Sequence, residues 1–69
     1  MDIKVMNKLK LRRVVADLTQ EDLAAAASVT RQTIISIEKG NYTPSVLLAL
    51  RLARILECSV EDLFYEETE

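Results

Sequence analysis

The side chains with the clearest chemical potential lie close together in the middle of the sequence: Arg31, Gln32, Ile35 and Ser36. Arginine and glutamine can each form paired hydrogen bonds to a base edge in the DNA major groove, arginine to guanine and glutamine to adenine. The isoleucine can pack on a thymine methyl group, and the serine can bond a base or a phosphate. Polar residues of these types are often plain solvated surface, but an isoleucine beside them favours a binding face.

Catalytic chemistry has little support in the composition. The chain has no histidine, so the common general base is absent, and its single cysteine, Cys58, has no imidazole to activate it. Its single glycine, Gly40, excludes a glycine-rich phosphate loop. One cysteine and no histidine exclude a disulfide framework and a Cys/His zinc site. We therefore expect a protein that is not an enzyme and that uses neither a metal nor another cofactor.

Two short helices and a tight turn are predicted to position the candidate binding residues. Thr19 and Asp22 have the spacing of a capping box, so the first helix of the pair should run from Gln20 to Ala27. Its run of alanines has high helix propensity and leaves room for a close neighbour. We expect Ser28 and Val29 to form the turn.

The second helix of the pair should follow Thr30, a good N-cap residue, and run from Arg31 to Lys39. Gly40 can adopt the left-handed conformation that ends a helix. Ile34 and Ile37 are three residues apart and should both face the core. The four candidate binding residues would then point away from the core.

The remaining sequence is predicted to supply three more helices. Asn7 can cap a first helix that runs to about Ala16, and Thr43 with Pro44 has the pattern that opens a fourth. Ser59 can cap a short fifth helix, Val60 to Phe64. The fourth helix is apolar on more than one side, so we expect it to lie at the centre of the core.

A chain of 69 residues has room for a single domain, so we assign residues 1–69 to one unit with an all-α fold, a compact five-helix bundle. Its core should span about residues 7–64. Residues 1–6 form an arm and residues 65–69 form an acidic tail. The alternation of apolar and polar residues over positions 1–5 is a weak strand signal or a frayed end. Because so small a domain buries little surface, it needs close helix packing or a partner subunit.

The first helix has more apolar surface than one core contact requires. Leu9, Arg13 and Ala16 share one face by their spacing. Three apolar residues lie off that face: Leu11, Val14 and Val15. The surplus could be a wide buried stripe or an exposed patch that awaits a partner.

The charge is unevenly distributed along a chain whose net charge is −2. Residues 1–39 carry seven basic and five acidic side chains, whereas residues 40–69 carry two basic and six acidic ones. The front of the chain is therefore mildly basic and the back acidic. No apolar run approaches the ~18 residues of a membrane span, and the N-terminus lacks the apolar segment of a signal peptide, so we expect a soluble cytoplasmic protein.

Three motifs, LTQEDLA, VTRQTI and IEKGNYTPS in this order, resemble the helix-turn-helix regulators of the Cro/C1 type (XRE family). The resemblance covers roughly residues 7–64 and implies the DNA-binding bundle of phage repressors, with the helix at 31–39 as its recognition helix. It implies that the four residues named first contact bases, and that Arg13 and Glu38 form an ion pair. The residues that it implies for DNA backbone contacts are Thr19, Gln20, Thr33, Lys39, Asn41 and Tyr42.

Two positions depart from the pattern of that family. The family usually has glycine in the turn where this chain has Ser28, and a serine at positive φ carries a penalty of roughly 1 kcal/mol. Beside the paired arginine the family usually has an apolar residue, where this chain has Arg12. The low positive charge also shifts the expected weight of binding from electrostatics toward dimer formation.

The resemblance implies a sequence-specific DNA-binding transcription regulator, and we expect a repressor that binds double-stranded DNA as a homodimer at a two-fold-symmetric site. One small domain reads few base pairs, and two half-sites about 10 base pairs apart would restore specificity. The residues expected at the dimer interface are Leu11, Val15, Leu63, Phe64 and Tyr65. The alternative is a protein-interaction module of the same fold, such as an antitoxin or adaptor with weak or no DNA binding, which the negative charge favours.

Overall fold

The computed structural model describes residues 3–68 and shows five helices with a two-stranded antiparallel sheet. In chain order the elements are β1 (Ile3–Asn7), α1 (Leu9–Val15), α2 (Gln20–Ala27), α3 (Arg31–Glu38), α4 (Val46–Ile55), α5 (Val60–Leu63) and β2 (Phe64–Thr68). The five predicted helices are all present. Within this part of the chain, every helix is too short or too polar to cross a membrane.

The sheet shows that the all-α prediction was incomplete, because the bundle carries a small β element. β1 and β2 pair along their whole length, with Val5 opposite Glu66 at the centre. The predicted arm, residues 1–6, and the predicted acidic tail, residues 65–69, are therefore strands wherever the structure describes them, and positions 1, 2 and 69 lie outside the described residues. The strand signal in the arm is confirmed by β1. The pairing with β2 is not revealed by local sequence patterns, because each strand is short and is stabilised by a partner at the other end of the chain.

The core is built chiefly from α2, α3 and α4. Its largest wholly buried side chains are Leu9, Leu23, Ile34, Ile37, Leu52 and Leu63. Burial of one such side chain contributes about 1.5–3 kcal/mol. Ile34 and Ile37 are 0% and 1% exposed, so their predicted inward orientation is confirmed. The inward anchoring of these two residues turns the opposite face of α3 toward solvent.

Reciprocal capping sets where α2 and α5 begin. The Thr19 hydroxyl accepts from the Asp22 N–H at 2.9 Å, and the Asp22 carboxylate accepts from the Thr19 N–H at 3.0 Å. Ser59 and Asp62 form the same pair of bonds before α5, at 3.1 and 3.0 Å. Because backbone hydrogen bonds favour the charged carboxylate, the pKa of Asp22 and that of Asp62 lie below the usual value for aspartate.

One predicted boundary in each of α3, α4 and α5 needs correction. α4 begins after Ser45 rather than after Thr43, because the Ser45 hydroxyl caps it by accepting from the Leu48 N–H at 3.1 Å. α5 ends one residue earlier than predicted, because Phe64 has the extended angles φ −126° and ψ 137° and begins β2. α3 ends one residue before the predicted Lys39, which follows its last turn.

The surplus apolar surface of α1 is an exposed patch and not a wide buried stripe. Exposed fractions of 57% to 76% are found for Leu11, Val14 and Val15. Leu9 and Arg13 are buried, as their shared face predicts. Ala16 was expected on that face but is exposed, because the helix ends at Val15 and Ala16 takes the following cap position.

Four of the described helices are followed by a residue with positive φ. These residues are Asp17 (φ 60°), Ser28 (φ 59°), Gly40 (φ 80°) and Glu57 (φ 54°). After α2, the Ser28 N–H donates to the Ala25 carbonyl at 3.2 Å and the Val29 N–H donates to the Ala24 carbonyl at 2.9 Å. This pair of bonds is a Schellman motif. The turn between α2 and α3 therefore places a serine in the conformation that favours glycine.

The change Ser28→Gly should raise the free energy of unfolding by about 0.5–1 kcal/mol, because glycine adopts positive φ without the Cβ penalty but adds freedom to the unfolded chain. Urea unfolding followed by circular dichroism measures this value. The matched control is Gly40→Ala, which should lower stability through backbone strain alone, since a Cβ at residue 40 meets no atom within 4 Å. An unchanged unfolding midpoint in Ser28→Gly would show that the strain relieved in this turn does not exceed the added entropy of the unfolded chain.

Candidate nucleic-acid interface

The solvent-facing side of α3 is the candidate interface. Arg31 and Gln32 are exposed in its first turn, and Ile35 and Ser36 are half-buried one turn later. The Gln32 Nε2 donates to the Ser36 hydroxyl at 3.3 Å, so these two side chains lie together on the surface. The structure therefore brings the four residues predicted to contact bases onto the exposed side of one helix.

Thr30 fixes where α3 starts. Its hydroxyl accepts from the Thr33 N–H at 3.2 Å and lies 3.1 Å from the Thr33 hydroxyl. Sequence reasoning assigned Thr30 a capping role only, yet it also lines a cleft beside α3. An N-cap residue lies beside the first turn of its helix, so its side chain can reach the surface on which that turn is exposed. The N-cap position of Thr30 was the one feature of the sequence that could have indicated this.

Two shallow clefts flank α3. One lies toward the start of α2 and is lined by Arg13, Thr19, Gln20, Glu21 and Arg31. The other lies toward the loop after α3 and is lined by Thr30, Gln32, Thr33, Ser36, Asn41 and Tyr42. Five of the six residues predicted to contact the DNA backbone line one of these clefts. The sixth, Lys39, is exposed at the C-terminal end of α3.

The Gln20 side chain is engaged within the protein. Its Nε2 donates to Glu38 Oε1 at 3.1 Å, across the gap between α2 and α3. An amide nitrogen carries two N–H groups, so a second donor is left for a phosphate oxygen. Gln20 is one of the residues predicted to contact the DNA backbone, and its bond to Glu38 fixes the orientation of its side-chain amide.

An ion pair joins α1 to α3 directly beneath this surface. Arg13 Nε donates to Glu38 Oε2 at 2.7 Å, and the two side chains are only 10% and 5% exposed. A further guanidinium nitrogen donates to the Leu18 carbonyl at 2.8 Å. The pairing implied by the family resemblance is present, and each buried charge has additional hydrogen-bond partners, as burial of charge requires.

Asn7 adds a second tie to α3 that no local pattern indicates. Its Nδ2 donates to the Ile37 carbonyl at 2.9 Å, and its Oδ1 accepts from the Leu9 N–H at 3.2 Å. Lys8 occupies the N-cap position of α1, so Asn7 supplies a bond to that helix without being its N-cap residue. Through Asn7 the end of β1 is bonded to the last turn of α3.

The residues predicted for the dimer interface differ in their exposure. Leu63 is 0% exposed and belongs to the core, so its assignment to an interface was wrong: the single turn of α5 directs it inward. Phe64 is half-buried against the same core. The remaining three, exposed over 42% or more of their surface, are Leu11, Val15 and Tyr65. The Lys8 ammonium lies 5.6 Å from the Tyr65 ring centroid, a cation–π distance.

Two other polar groups lie near α5, the ion pair of Arg12 with Asp62 and the free thiol of Cys58. Arg12, the residue that departs from the family pattern, lies 3.9 Å from Asp62 in a pair that is about half exposed, and such pairs contribute little to stability. Burial raises the pKa of the Cys58 thiol, which makes it a poor nucleophile. Among residues 3–68, no three His, Cys, Asp or Glu side chains are grouped so that they could hold a metal ion.

Comparison with known proteins gives consistent matches over most of the chain. The helix-turn-helix family model matches residues 9–63. An HTH-type transcriptional regulator of Methanocaldococcus jannaschii is 53% identical over 64 residues, which cover 91% of this chain and 97% of that protein. The HTH-type transcriptional regulator YgzD of Bacillus subtilis is 44% identical over 63 residues, covering 91% and 96% of the two chains.

Solved structures of regulators have the same architecture. The restriction-modification controller protein C.AhdI from Aeromonas hydrophila superposes with a TM-score of 0.73 and 28% identity, over 78% of this chain and 82% of its own. The clp gene regulator ClgR from Corynebacterium glutamicum gives 0.74 and 28%, over 78% of this chain, which spans 57% of ClgR. The transcriptional regulator VanUg gives 0.78 over 100% and 92% of the two chains, but at 18% identity it shows a shared fold alone.

The change Glu38→Met should cost about 3–5 kcal/mol of stability, because it leaves the buried Arg13 guanidinium without its counter-charge. The change Arg13→Met should be similarly costly, and the double variant Arg13→Met/Glu38→Met should recover most of the loss, since an apolar pair removes both buried charges. Urea unfolding of the four proteins gives the coupling free energy. Additive losses would show that the two side chains act independently.

Proposed function

Because this chain belongs to the helix-turn-helix family of transcriptional regulators, of the Cro/C1 type that its motifs resemble, we propose that it is a repressor that binds two-fold-symmetric DNA as a homodimer. In the complex α3 lies in the major groove. The protein acts in the cytoplasm, without catalysis and without a metal or cofactor.

The observation that carries this proposal is the exposed start of α3 on a rigid frame. Arg31 and Gln32 project from the first turn of a helix whose Ile34 and Ile37 are buried and whose last residue, Glu38, is in an ion pair. An α-helix fits the major groove, where arginine pairs with guanine and glutamine with adenine. Ile35 and Ser36, one turn on, extend the reading surface to a thymine methyl group and a further polar contact.

The two clefts beside α3 support the proposed backbone contacts. A helix in the major groove has a phosphate backbone on each side, and phosphate contacts fix its register. Thr19 and Gln20 lie at the N-terminus of α2, where free N–H groups favour an anion. On the other side are Thr33, Asn41 and Tyr42, with Lys39 near them at the end of α3.

A dimer is proposed because one α3 helix contacts only a few base pairs. Two copies on half-sites one helical turn apart, about 34–36 Å, double the number of bases that are read. A net charge of −2 gives weak non-specific attraction to DNA, so paired half-sites matter more for this chain than for a basic one. Repression is proposed because it requires only that the bound protein occupies promoter DNA.

A protein-interaction module is the competing proposal, favoured by the same negative charge and by the apolar patch on α1. The two proposals differ in how binding depends on salt. DNA binding predicts retention of a random duplex library at about 50 mM salt, with affinity that falls steeply toward 200 mM because counterions are released. Sequencing of the retained duplexes should give two inverted half-sites. If no duplex is retained at about 50 mM salt, the regulator proposal fails.

The change Arg31→Ala should weaken binding to the selected duplex by about 1–3 kcal/mol and relax the preference at one base pair of each half-site, because a guanine contact is lost. Binding titrations on duplexes with single substitutions measure both effects. The matched control is Arg51→Ala, an exposed arginine on α4, which should leave affinity and preference unchanged. An equal loss on every duplex would show that Arg31 contacts phosphate only.

A further inference from the structure

We propose that the open edge of β1 pairs antiparallel with β1 of a second copy, forming a four-stranded sheet that holds the dimer together. The inference deepens the proposed homodimer by naming its contact surface. It rests on the backbone polarity of the sheet, on the charge of its two edges and on an apolar groove beside β1.

The hydrogen-bond pattern shows which backbone groups of β1 face outward. The Lys8 N–H donates to the Leu63 carbonyl at 2.8 Å, in register with the β1–β2 ladder. Backbone groups alternate in direction along a strand, so those of Lys4 and Met6 also point toward β2. Those of Ile3 and Val5 then point to the opposite edge. β2 is the only strand beside β1 in the described part of the chain, so this edge is open to another strand.

The charges of the two sheet edges favour β1 for self-pairing. Lys4 is the one charged residue of β1, whereas β2 carries Glu66 and Glu67. Pairing of β2 with a copy of itself would bring four carboxylates into adjacent positions, which is unfavourable. Pairing of β1 with a second β1 adds only the two Lys4 side chains, and a suitable register places them away from each other.

The register that separates those lysines places Val5 on the two-fold axis. Val5 then lies opposite Val5 of the second copy, Lys4 opposite its Met6, and Ile3 opposite its Asn7. This register joins the outward-facing backbone groups of odd-numbered residues on both strands. A register centred on Lys4 would place the two lysines directly opposite each other, at a cost in stability.

Apolar side chains near the open edge of β1 are exposed to solvent. Ile3 and Val5 are 62% and 44% exposed although both are large apolar residues. Val5 further lines an apolar groove of about 180 Å³ together with residues of α4, α5, β2 and the loop between α3 and α4, among them Pro44, Val46 and Phe64. Val46, at its side, is 77% exposed. A second copy seated along β1 would cover the strand and the groove together.

A different pairing, β1 of one copy with β2 of the next, would bring Lys4 near the glutamates of another chain. That contact is head-to-tail and leaves an open edge at each end, so it produces chains of growing length and not a closed dimer. The two arrangements therefore give different distributions of mass in solution.

The first test is made on the full chain without DNA. Sedimentation velocity over a range of concentrations should show a monomer–dimer equilibrium with nothing larger. Residue-resolved amide exchange should show that Val5 and Ile3 become protected as dimer forms, while Lys4 and Met6 are protected throughout by β2. A monomer at all concentrations, a ladder of larger species, or exchange at Val5 that ignores concentration would each overturn the proposal.

The second test places charge on the proposed axis. Val5→Lys should raise the dissociation constant of the dimer at least tenfold, and so should Val5→Glu, whereas an equimolar mixture of the two should dimerise again. The matched control is Glu66→Lys, the position opposite Val5 on the other edge, which should leave the dimer intact. Circular dichroism establishes that each variant is folded. Dimers of Val5→Lys as tight as the unmodified protein would overturn the proposal.

DNA binding separates this inference from the proposed function. Val5→Lys should still bind a single half-site like the unmodified chain but should lose the advantage of two half-sites. If the unmodified protein dimerises through β1 yet retains no duplex, the regulator proposal fails and the interface stands. If it binds paired half-sites while Val5→Lys does so equally well, the β1 interface fails and the regulator proposal stands.

Discussion

The buried contact between Arg13 and Glu38 is the interaction that ties α3 to the helices around it. Two charges taken out of water are costly, and they are tolerated only when their remaining hydrogen-bonding groups also find partners. Here the guanidinium also bonds the Leu18 carbonyl and the carboxylate also accepts from Gln20. One network therefore joins α1, α2, α3 and the loop between the first two. Because hydrogen bonds are directional, this network constrains how α3 lies against α1 and α2.

Sharp helix ends complement this network. Helices α1 to α4 are each followed by a residue at positive φ, and at three of the four places that residue is Asp, Ser or Glu and not glycine. Positive φ costs conformational free energy at each of these three residues, but it lets the chain reverse direction within a few residues. Packing of leucine and isoleucine side chains offsets the strain. The exposed face of α3 is thus placed by charge and packing at residues outside that face.

The features that could be predicted from the sequence are those with a local cause. Thr19 with Asp22 marks a helix start through two bonds within four residues, and the spacing of Ile34 and Ile37 fixes which face of α3 is buried. The sheet could not be predicted in the same way, because each strand is stabilised by residues at the other end of the chain. The same limit applies to the candidate site. Side-chain types indicated its surface, but the clefts and the engaged Gln20 amide depend on how helices pack.

The pairing of β1 with β2 has a consequence for the order in which the chain becomes structured. The helices are joined by short loops and their contacts are mostly local, whereas the sheet closes a loop of nearly the whole described chain. Loop-closure entropy makes such long-range pairing slow to form, and the edge of a small sheet opens readily. A chain leaving the ribosome would complete the helix proposed to read bases before it completes the strand edge proposed for dimerisation. The helix bundle would then form first as a monomer, and dimers would form only after the sheet is complete.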